Sequence, residues 1–482
     1  MNGARRAGLI GVVGLGLALC IGAFAILWHL GDKSLTPDEA FYYGESILPI
    51  PQLIDFTARA NFHPPLFYLV MHFVDSALHW PATAYRYVTA PFGLLTIAAT
   101  WALARRWFGP IAAAVAALIA ATAPLLVSEA HLFRMYGIVT ALAVSSWWLL
   151  TSAEVAGGWR RRWLWLGYGV LAIAMPYTLY LGSFVVAAQA LYGLVRRGAL
   201  PAAGWAVGSL VALIPWYWAI RIQLPQGGFP GVAVAWWSVA PDTLLFTPPQ
   251  ALDAAPVQIA ITLGAIIIVI AGAWLGRRTA LPFLFIPVVL QIALSVALHK
   301  DLMVTRYLAL TVPAFAIASG AVSGALIAAR QWIAGVLVAV LVLAGTSASL
   351  ANYLFVPYYQ TTDWYAVEIA LHEHAQPADA IVFDQWGPSM VLAASPDVRD
   401  HSIYKVSASS GPEAALRWLD GQPDARVWYV ENVVESWDPK RLLWHHLQAT
   451  RPLLYSYSQL HAARANDVLL QLYGPAARKA PL

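Results

Sequence analysis

Eleven long apolar runs divide this chain, and the basic residues between them fall in a regular order. The runs lie near 8–30, 84–104, 110–128, 137–153, 163–180, 181–195, 199–220, 256–276, 280–298, 307–328 and 332–350. A helix needs about 20 mostly apolar residues to cross a bilayer, so each run reads as a span with loose ends. The basic clusters are Arg5/Arg6, Arg105/Arg106, Arg160/Arg161/Arg162, Arg196/Arg197, Arg277/Arg278 and Arg330. Loops rich in Lys and Arg stay on the cytoplasmic side. Eleven spans and a cytoplasmic N-terminus put every cluster inside, with Glu154 as the one inside acid. That accounts for 12 of the 19 Lys+Arg of residues 1–350, while ten of their 11 Asp+Glu fall outside.

Charge parity then decides a further apolar run, 64–80. If it crossed, every later basic cluster would switch sides. The reading is a non-crossing helix on the outer face, within a long first outer loop over 31–83. Twelve spans with inverted basic loops is the alternative. Arg5 and Arg6 before an apolar stretch superficially suit a signal peptide. The stretch 8–30 is longer than a signal core and no small-residue cleavage site follows, so a retained first span is expected.

Eleven spans leave the C-terminus outside. Residues 351–482 carry 10 Lys+Arg and 14 Asp+Glu, a density that suits water. The whole chain is 60% hydrophobic and 11% charged, against about 25% charged in soluble proteins. Strands are predicted at 378–385, 425–431 and 466–473, with helices at 363–374 and 412–420. The expected fold is an α-helical polytopic membrane protein of about 11 transmembrane helices with a non-crossing outer-face helix. A small C-terminal α/β soluble domain completes it. The domains are 1–350 and 351–482. Cys20 is the only cysteine, so no intrachain disulfide and no cysteine metal site can form. The basic residues sit in loops of the membrane part, which gives no basis for nucleic-acid binding.

Ionisable groups in an apolar body mark function, and they collect in three outer loops. The first holds Asp38, Glu39, Glu45, Asp55, Arg59 and His63. Thr36 or Asp38 can cap a helix there, with Glu39 complementing its dipole. That helix would align Asp38, Tyr42 and Glu45 on one face, where an acid near the membrane surface can serve as a general base. His63 precedes Pro64 and Pro65, a helix start whose free N–H groups suit a phosphate. The second loop holds Glu129, His131, Arg134 and Tyr136, and the third His299, Lys300, Asp301, Arg306 and Tyr307. Arg134 and Arg306 each open a span from outside, as interface anchors or as anion ligands. Arg86–Tyr87 is a third such pair.

These segments in this order resemble the C-type glycosyltransferases that take sugars from polyprenyl phosphates, among them protein O-mannosyltransferases and aminoarabinose transferases of lipid A. The carriers are Asp38–Glu39 and then His63–Pro64–Pro65–Leu66. His131–Leu132–Phe133–Arg134–Met135–Tyr136–Gly137 is similar to a second-loop arginine-tyrosine motif. Thr305–Arg306–Tyr307–Leu308 is similar to a late arginine-tyrosine-leucine segment. Residues 362–367 and 377–383 resemble the start of the family's soluble outer domain. One departure is that bacterial relatives commonly have Glu-Ala directly before the second-loop arginine. Here Leu132 and Phe133 stand there, and Glu129 lies five residues upstream.

The resemblance implies sugar transfer from a polyprenyl-phosphate donor to an acceptor hydroxyl on a polysaccharide, lipid or protein. It would take place on the outer face of a bacterial-type cytoplasmic membrane, with inversion at the anomeric carbon. Asp38 would be the base and Glu39 would hold the donor sugar or orient nearby cations. Arg59, His63, Arg134, Tyr136, Arg306 and Tyr307 would bind donor phosphate, and Glu129, His131 and Lys300 would bind substrate. No cofactor is required by the sequence, and a divalent cation is compatible with it. Two other classes of protein fit the same composition. One is a transporter or flippase of a lipid-linked sugar, for which half-sequence repeats would be expected and none is evident. The other is a non-catalytic envelope assembly protein.

Overall fold

Glycine, proline and arginine set the helix boundaries that the apolar runs leave loose. The computed structural model describes residues 3–226, 229–230, 237–252, 254–360, 362, 364–384, 391–392, 401–405, 411–432, 438, 440–460 and 467–476. It divides into two compact units, Met1–Leu30 with Glu45–Leu354, and Gly31–Gly44 with Phe355–Leu482.

The helices in chain order are α1 (Gly3–Leu27), α2 (Pro37–Ser46), α3 (Ile50–Ala60), α4 (Leu66–Leu78), α5 (Arg86–Phe108), α6 (Pro110–Thr122), α7 (Pro124–His131), α8 (Met135–Val155) and α9 (Gly158–Thr178). They continue as α10 (Gly182–Val195), α11 (Pro201–Leu213), α12 (Tyr217–Gln226), α13 (Val239–Leu244), α14 (Ala255–Leu275), α15 (Ile286–Leu298), α16 (Val312–Ala328) and α17 (Trp332–Phe355). Among the described residues, eight helices are long and apolar enough to cross a membrane. The pair α6 and α7, bent by 54°, makes a ninth if it is one span. Pro124 causes that bend, since it lacks the N–H that would continue the ladder. The expected eleven spans need α9, which opens with three arginines, and the 14-residue α10 as well. That full count stays a proposal.

Helix α4 has 13 residues. At ~1.5 Å per residue it spans about 20 Å, short of the ~30 Å hydrocarbon core. The helix α3, inside the same loop, was not expected from the sequence.

Small residues let the long helices approach closely, which drives helix association in lipid. A Cβ on Gly14 would lie 2.4 Å from that of Ala114, and one on Gly320 would lie 2.3 Å from the Ala112 carbonyl oxygen. So α6, rich in buried alanine, is clasped by α1 on one side and α16 on the other. Arg105 and Arg106 close α5, where a cation complements the helix dipole. Gly109 follows at φ +87°, a conformation that favours glycine.

The second unit is built on a five-stranded sheet. Its strands are β3 (Ala380–Phe383), β4 (Ser402–Lys405), β5 (Val427–Glu431), β6 (Leu453–Gln459) and β7 (Val468–Tyr473), after a short β1 (Phe229–Pro230) and β2 (Lys300–Asp301) pair in the first unit. The order is β4-β3-β5-β7-β6, parallel through β4, β3 and β5 and antiparallel beyond. Helices α18 (Trp364–His374), α19 (Gly411–Asp420) and α20 (Leu442–Thr450) pack on it. Strands β3, β5 and β7 and helix α18 fall within the expected segments, and helix α19 begins one residue before its own. The ends of those segments at 363, 385 and 466 lie outside the described residues. Strands β4 and β6 were not expected; both are sheet edges, and β6 alternates exposed with half-buried positions.

Candidate functional site

The turn between α7 and α8 places Arg134, and three neighbours fix that turn. The His131 ring hydrogen-bonds with Ala25 O at 2.8 Å and with the Tyr353 hydroxyl at 3.1 Å, tying it to α1 and α17. Thr89 Oγ1 donates to Leu132 O at 3.0 Å. Phe133 is fully buried between Phe67 of α4 and Tyr85, with ring centroids 5.2 and 5.8 Å away. The helix expected not to cross therefore packs on the loop that presents Arg134. Gly137 is required here: a Cβ would meet Glu129 O at 2.8 Å.

Four of the expected site residues gather around the ring of Tyr136, itself buried. The Arg134 guanidinium lies 4.9 Å from its centroid and that of Arg306 lies 5.9 Å away. The Tyr307 ring is 5.6 Å off and the His63 ring 6.1 Å, edge-on. Arg306 also lies 5.5 Å from the Tyr307 ring. An aromatic face attracts a cation, so one tyrosine can orient two guanidinium groups without neutralising either. A guanidinium keeps its charge when buried and offers paired donors to a phosphate. Arg134 and His63 are buried, while Arg306 and Tyr307 are half-buried.

His63 is clamped through its backbone by residues the sequence did not single out for a role. Asn61 Oδ1 accepts from the N–H groups of Phe62 at 2.6 Å and His63 at 3.2 Å. Gln223 Nε2 donates to Thr57 O at 2.6 Å and His63 O at 3.2 Å. Glu45 anchors the arrangement, since Thr57 Oγ1 and Asn61 Nδ2 donate to its two carboxylate oxygens. On the other side, Tyr180 donates to Gln223 Oε1 and Trp216 Nε1 donates to the Tyr180 hydroxyl at 2.8 Å. Burial pushes the Glu45 carboxyl up to about 7, against the opposing pull of Thr57 and Asn61. No sequence signal identifies this network beyond Asn61 standing two residues before His63.

Asp38 and Glu39 belong to the second unit. Thr36 and Glu39 form a reciprocal cap on α2. Glu39 Oε2 accepts from Thr36 N at 2.9 Å and Thr36 Oγ1 at 3.0 Å, and Glu39 N donates to Thr36 Oγ1 at 3.3 Å. Thr36 rather than Asp38 is therefore the cap, and Glu39, fully buried, gives its Oε2 to it. Asp38 is half-exposed in the first turn.

Other expected residues are placed elsewhere or have structural partners. Arg59 pairs with Asp55 at 2.6 Å, both side chains over 60% exposed, and so faces solvent. Lys300 Nζ donates to the carbonyls of Leu224 at 3.2 Å and Pro225 at 2.8 Å, closing the end of α12. His131 holds helices together, as described. Glu129 is buried in α7. Arg86 reaches the Leu30 carbonyl at 3.4 Å. Among the described residues, no group of three or more His, Cys, Asp or Glu is arranged to hold a metal ion.

The fold, a helical first unit and a second unit built on a small sheet, is similar to that of other proteins of solved structure. Two proteins carry the comparison. The apo structure of ArnT from Cupriavidus metallidurans matches at a TM-score of 0.55 and 15% identity, covering 97% of this chain and 98% of that one. The same protein bound to undecaprenyl phosphate matches at 0.52 and 16%, covering 98% and 99%. The Archaeoglobus fulgidus oligosaccharyltransferase in complex with Zn and sulfate matches at 0.57 and 12%, covering 97% of this chain and 74% of that one. No protein-family model and no curated protein matches the sequence.

Proposed function

We propose that this chain is a glycosyltransferase that moves a sugar from a polyprenyl-phosphate donor to an acceptor hydroxyl. The observation that carries this reading is the pair of guanidinium groups, Arg134 and Arg306, held beside the ring of Tyr136. The fold shared with a protein solved with undecaprenyl phosphate supports it. The membrane is a bacterial-type cytoplasmic membrane, and the reaction faces its outer side, as the order of the basic loops suggests.

In this reading the acceptor oxygen attacks the anomeric carbon as the C1–O bond to phosphate breaks. The departing phosphate gains charge, which Arg134 and Arg306 stabilise through fixed donors. Tyr307 and His63 complete that surface. Asp38 takes the acceptor's proton, and attack from the face opposite the phosphate inverts the centre. Glu39 sets the helix that presents Asp38. An oligosaccharyltransferase of this fold has been solved with zinc. A divalent cation is compatible with this chain, but its described residues offer no ligand set, and no step is assigned to one.

The test is transfer by purified protein in detergent, with a panel of polyprenyl-phosphate sugars and hydroxyl acceptors. Turnover is expected for one donor. Donor binding with no transfer to any acceptor would instead favour a transporter of the lipid-linked sugar.

A further inference from the structure

Glu45 stands one residue before the end of α2, and only 2% of it is exposed. Thr57 Oγ1 lies within hydrogen-bond reach of both Glu45 Oε1 and Leu53 O, the latter at 2.7 Å. Two links join three oxygens, yet the Thr57 hydroxyl has one proton and a carbonyl has none. A proton on Glu45 Oε1 supplies the second link. The neutral acid then donates to Thr57 Oγ1, which donates on to Leu53 O, while Glu45 Oε2 accepts from Asn61 Nδ2.

The ionised form leaves one of these links unmade and has no countercharge. Burial, Thr57 and Asn61 are the causes that act on the Glu45 carboxyl, with no charged side chain among them. The surrounding elements carry few titratable groups. Asp55 and Arg59 of α3 pair with each other at 2.6 Å and are exposed. His72 Nδ1 of α4 hydrogen-bonds with Ser46 O at 3.0 Å, and Asp75 of α4 accepts from the Tyr85 hydroxyl. Glu39 of α2 is engaged with Thr36, and Arg221 lies on α12. A charge buried without a partner is costly. Ionised Glu45 therefore has to draw in water, which separates it from Asn61.

Asn61 connects this acid to the site. Its Nδ2 is used on Glu45 and its Oδ1 on the N–H groups of Phe62 and His63. Pro64 follows and narrows the backbone choices of His63. The backbone so held places the His63 ring 6.1 Å from that of Tyr136. Gln223 fixes the carbonyl side of His63 from α12, without using Glu45.

We infer that Glu45 is a positioning residue: while it holds a proton it sets His63, through Asn61, for the donor phosphate, and loss of that proton to solvent weakens donor binding. The inference rests on the donor reading proposed above.

The test has one readout without ligand and one with it. Hydrogen exchange over residues 61–65 reports the amides of Asn61, Phe62 and His63 alone, since Pro64 and Pro65 have none. Relative to the intrinsic rate at each pH, wild type in detergent should lose protection there about tenfold between about pH 6 and about pH 8.5. Glu45→Gln is neutral at every pH and should keep it, because its amide donates to Thr57 Oγ1 and its carbonyl accepts from Asn61. Affinity for undecaprenyl phosphate should fall about tenfold more in wild type than in Glu45→Gln over the same range, the scale of one hydrogen bond to a charged group. Titration of His63 and of the phosphate is common to both proteins, so the difference between the profiles isolates Glu45. Asp55→Asn should follow wild type, and each variant is checked for folding by its melting curve. Parallel affinity profiles in wild type and Glu45→Gln would overturn the coupling. So would wild-type protection at positions 62 and 63 that does not change with pH, a result that needs no variant. Absence of undecaprenyl phosphate binding by wild type at every pH overturns the donor reading and the coupling to binding with it. The exchange result then separates that failure from a failure of Glu45 to hold the segment.

Discussion

The rings of Tyr136 and Tyr307 lie 5.6 Å apart, centroid to centroid, although 171 positions separate them. Each follows an arginine within two residues in sequence, and both guanidinium groups lie near one aromatic ring, 4.9 and 5.9 Å from the Tyr136 centroid. The two arginine-tyrosine segments thus meet at the Tyr136 ring.

Removing either arginine should weaken donor binding. Arg134→Ala and Arg306→Ala are each expected to lower affinity for a polyprenyl-phosphate sugar about 10- to 100-fold, the scale of a charge-assisted hydrogen bond. Arg330→Ala should bind as wild type does. Affinities equal to wild type in both folded variants would take the phosphate role from this cluster.

The two arginines stood out in the sequence because each opens an apolar run on the side that the order of the basic loops predicts to be the outer one. The Glu45–Asn61–Gln223 clamp did not. Its members are 16 and 162 positions apart, and nothing local distinguishes a buried Glu45 from the exposed Asp55. Helix α3 escaped notice for a similar reason. Its apolar residues mix with Asp55 and Arg59, so hydropathy alone reads it as loop. Charge parity argued against a crossing by 64–80, yet it said nothing of Phe67 packing on Phe133, which depends on three-dimensional packing.

Glu45 should make the first unit pH-sensitive. Its folded-state value, about 7, lies above the ordinary 4.5. The folded state therefore binds the proton more tightly than the unfolded chain, and stability falls as pH rises from about 4.5 to about 7. The scale is about 3 kcal/mol, from ~1.4 kcal/mol per unit. Glu45→Gln should remove that slope. Its amide can donate to Thr57 Oγ1, which already donates to Leu53 O at 2.7 Å, while its carbonyl accepts from Asn61. A thermal melt series from pH 4.5 to 8 in detergent measures this, and an unchanged slope in the variant would discard the assignment.

A second buried acid acts in the sheet domain. Asp384 follows β3, fully buried, and both its carboxylate oxygens lack a hydrogen-bond partner in the described structure. Burial, then the nearby Asp438 and Glu431, push it up to about 7, and Arg441 and the nearby Tyr429 hydroxyl only partly oppose them. The Arg441 guanidinium is engaged with Glu431, which also accepts the Tyr429 hydroxyl at 2.7 Å. The sign is the same as for Glu45: the cost appears as pH rises from about 4 to about 7. Asp384→Asn should raise the melting temperature at pH 8 by several degrees and leave it nearly unchanged at pH 4. A variant no more stable than wild type at pH 8 would mean that Asp384 stays neutral or gains a partner there.

Membrane sidedness is open to chemical labelling. Trp80, just after α4, is 40% exposed, and Glu373 of α18 is exposed. In a Cys20→Ser background, Trp80→Cys and Glu373→Cys should both react with a membrane-impermeant maleimide added from outside. Labelling of Trp80→Cys only after the cytoplasmic side is opened would require α4 to cross and would invert every later basic loop.

Asp38→Asn separates a catalytic carboxylate from a structural one. Thr36 and Glu39 cap α2, so the helix start does not depend on an ionised Asp38, and asparagine is as good near a helix start as aspartate. A stability role for Asp38 thus predicts near-normal turnover in the variant. A base must accept the acceptor's proton in the transition state, which asparagine cannot do. Base catalysis typically contributes about 10²–10⁴-fold, so single-turnover transfer at saturating donor should fall by about two orders of magnitude or more, with donor affinity nearly kept. Glu39→Gln gives the contrasting result. Its oxygen can still accept from Thr36, so it should fold and retain most activity. Wild-type rates in Asp38→Asn together with a collapse in Glu39→Gln would exchange the two roles and make Glu39 the base.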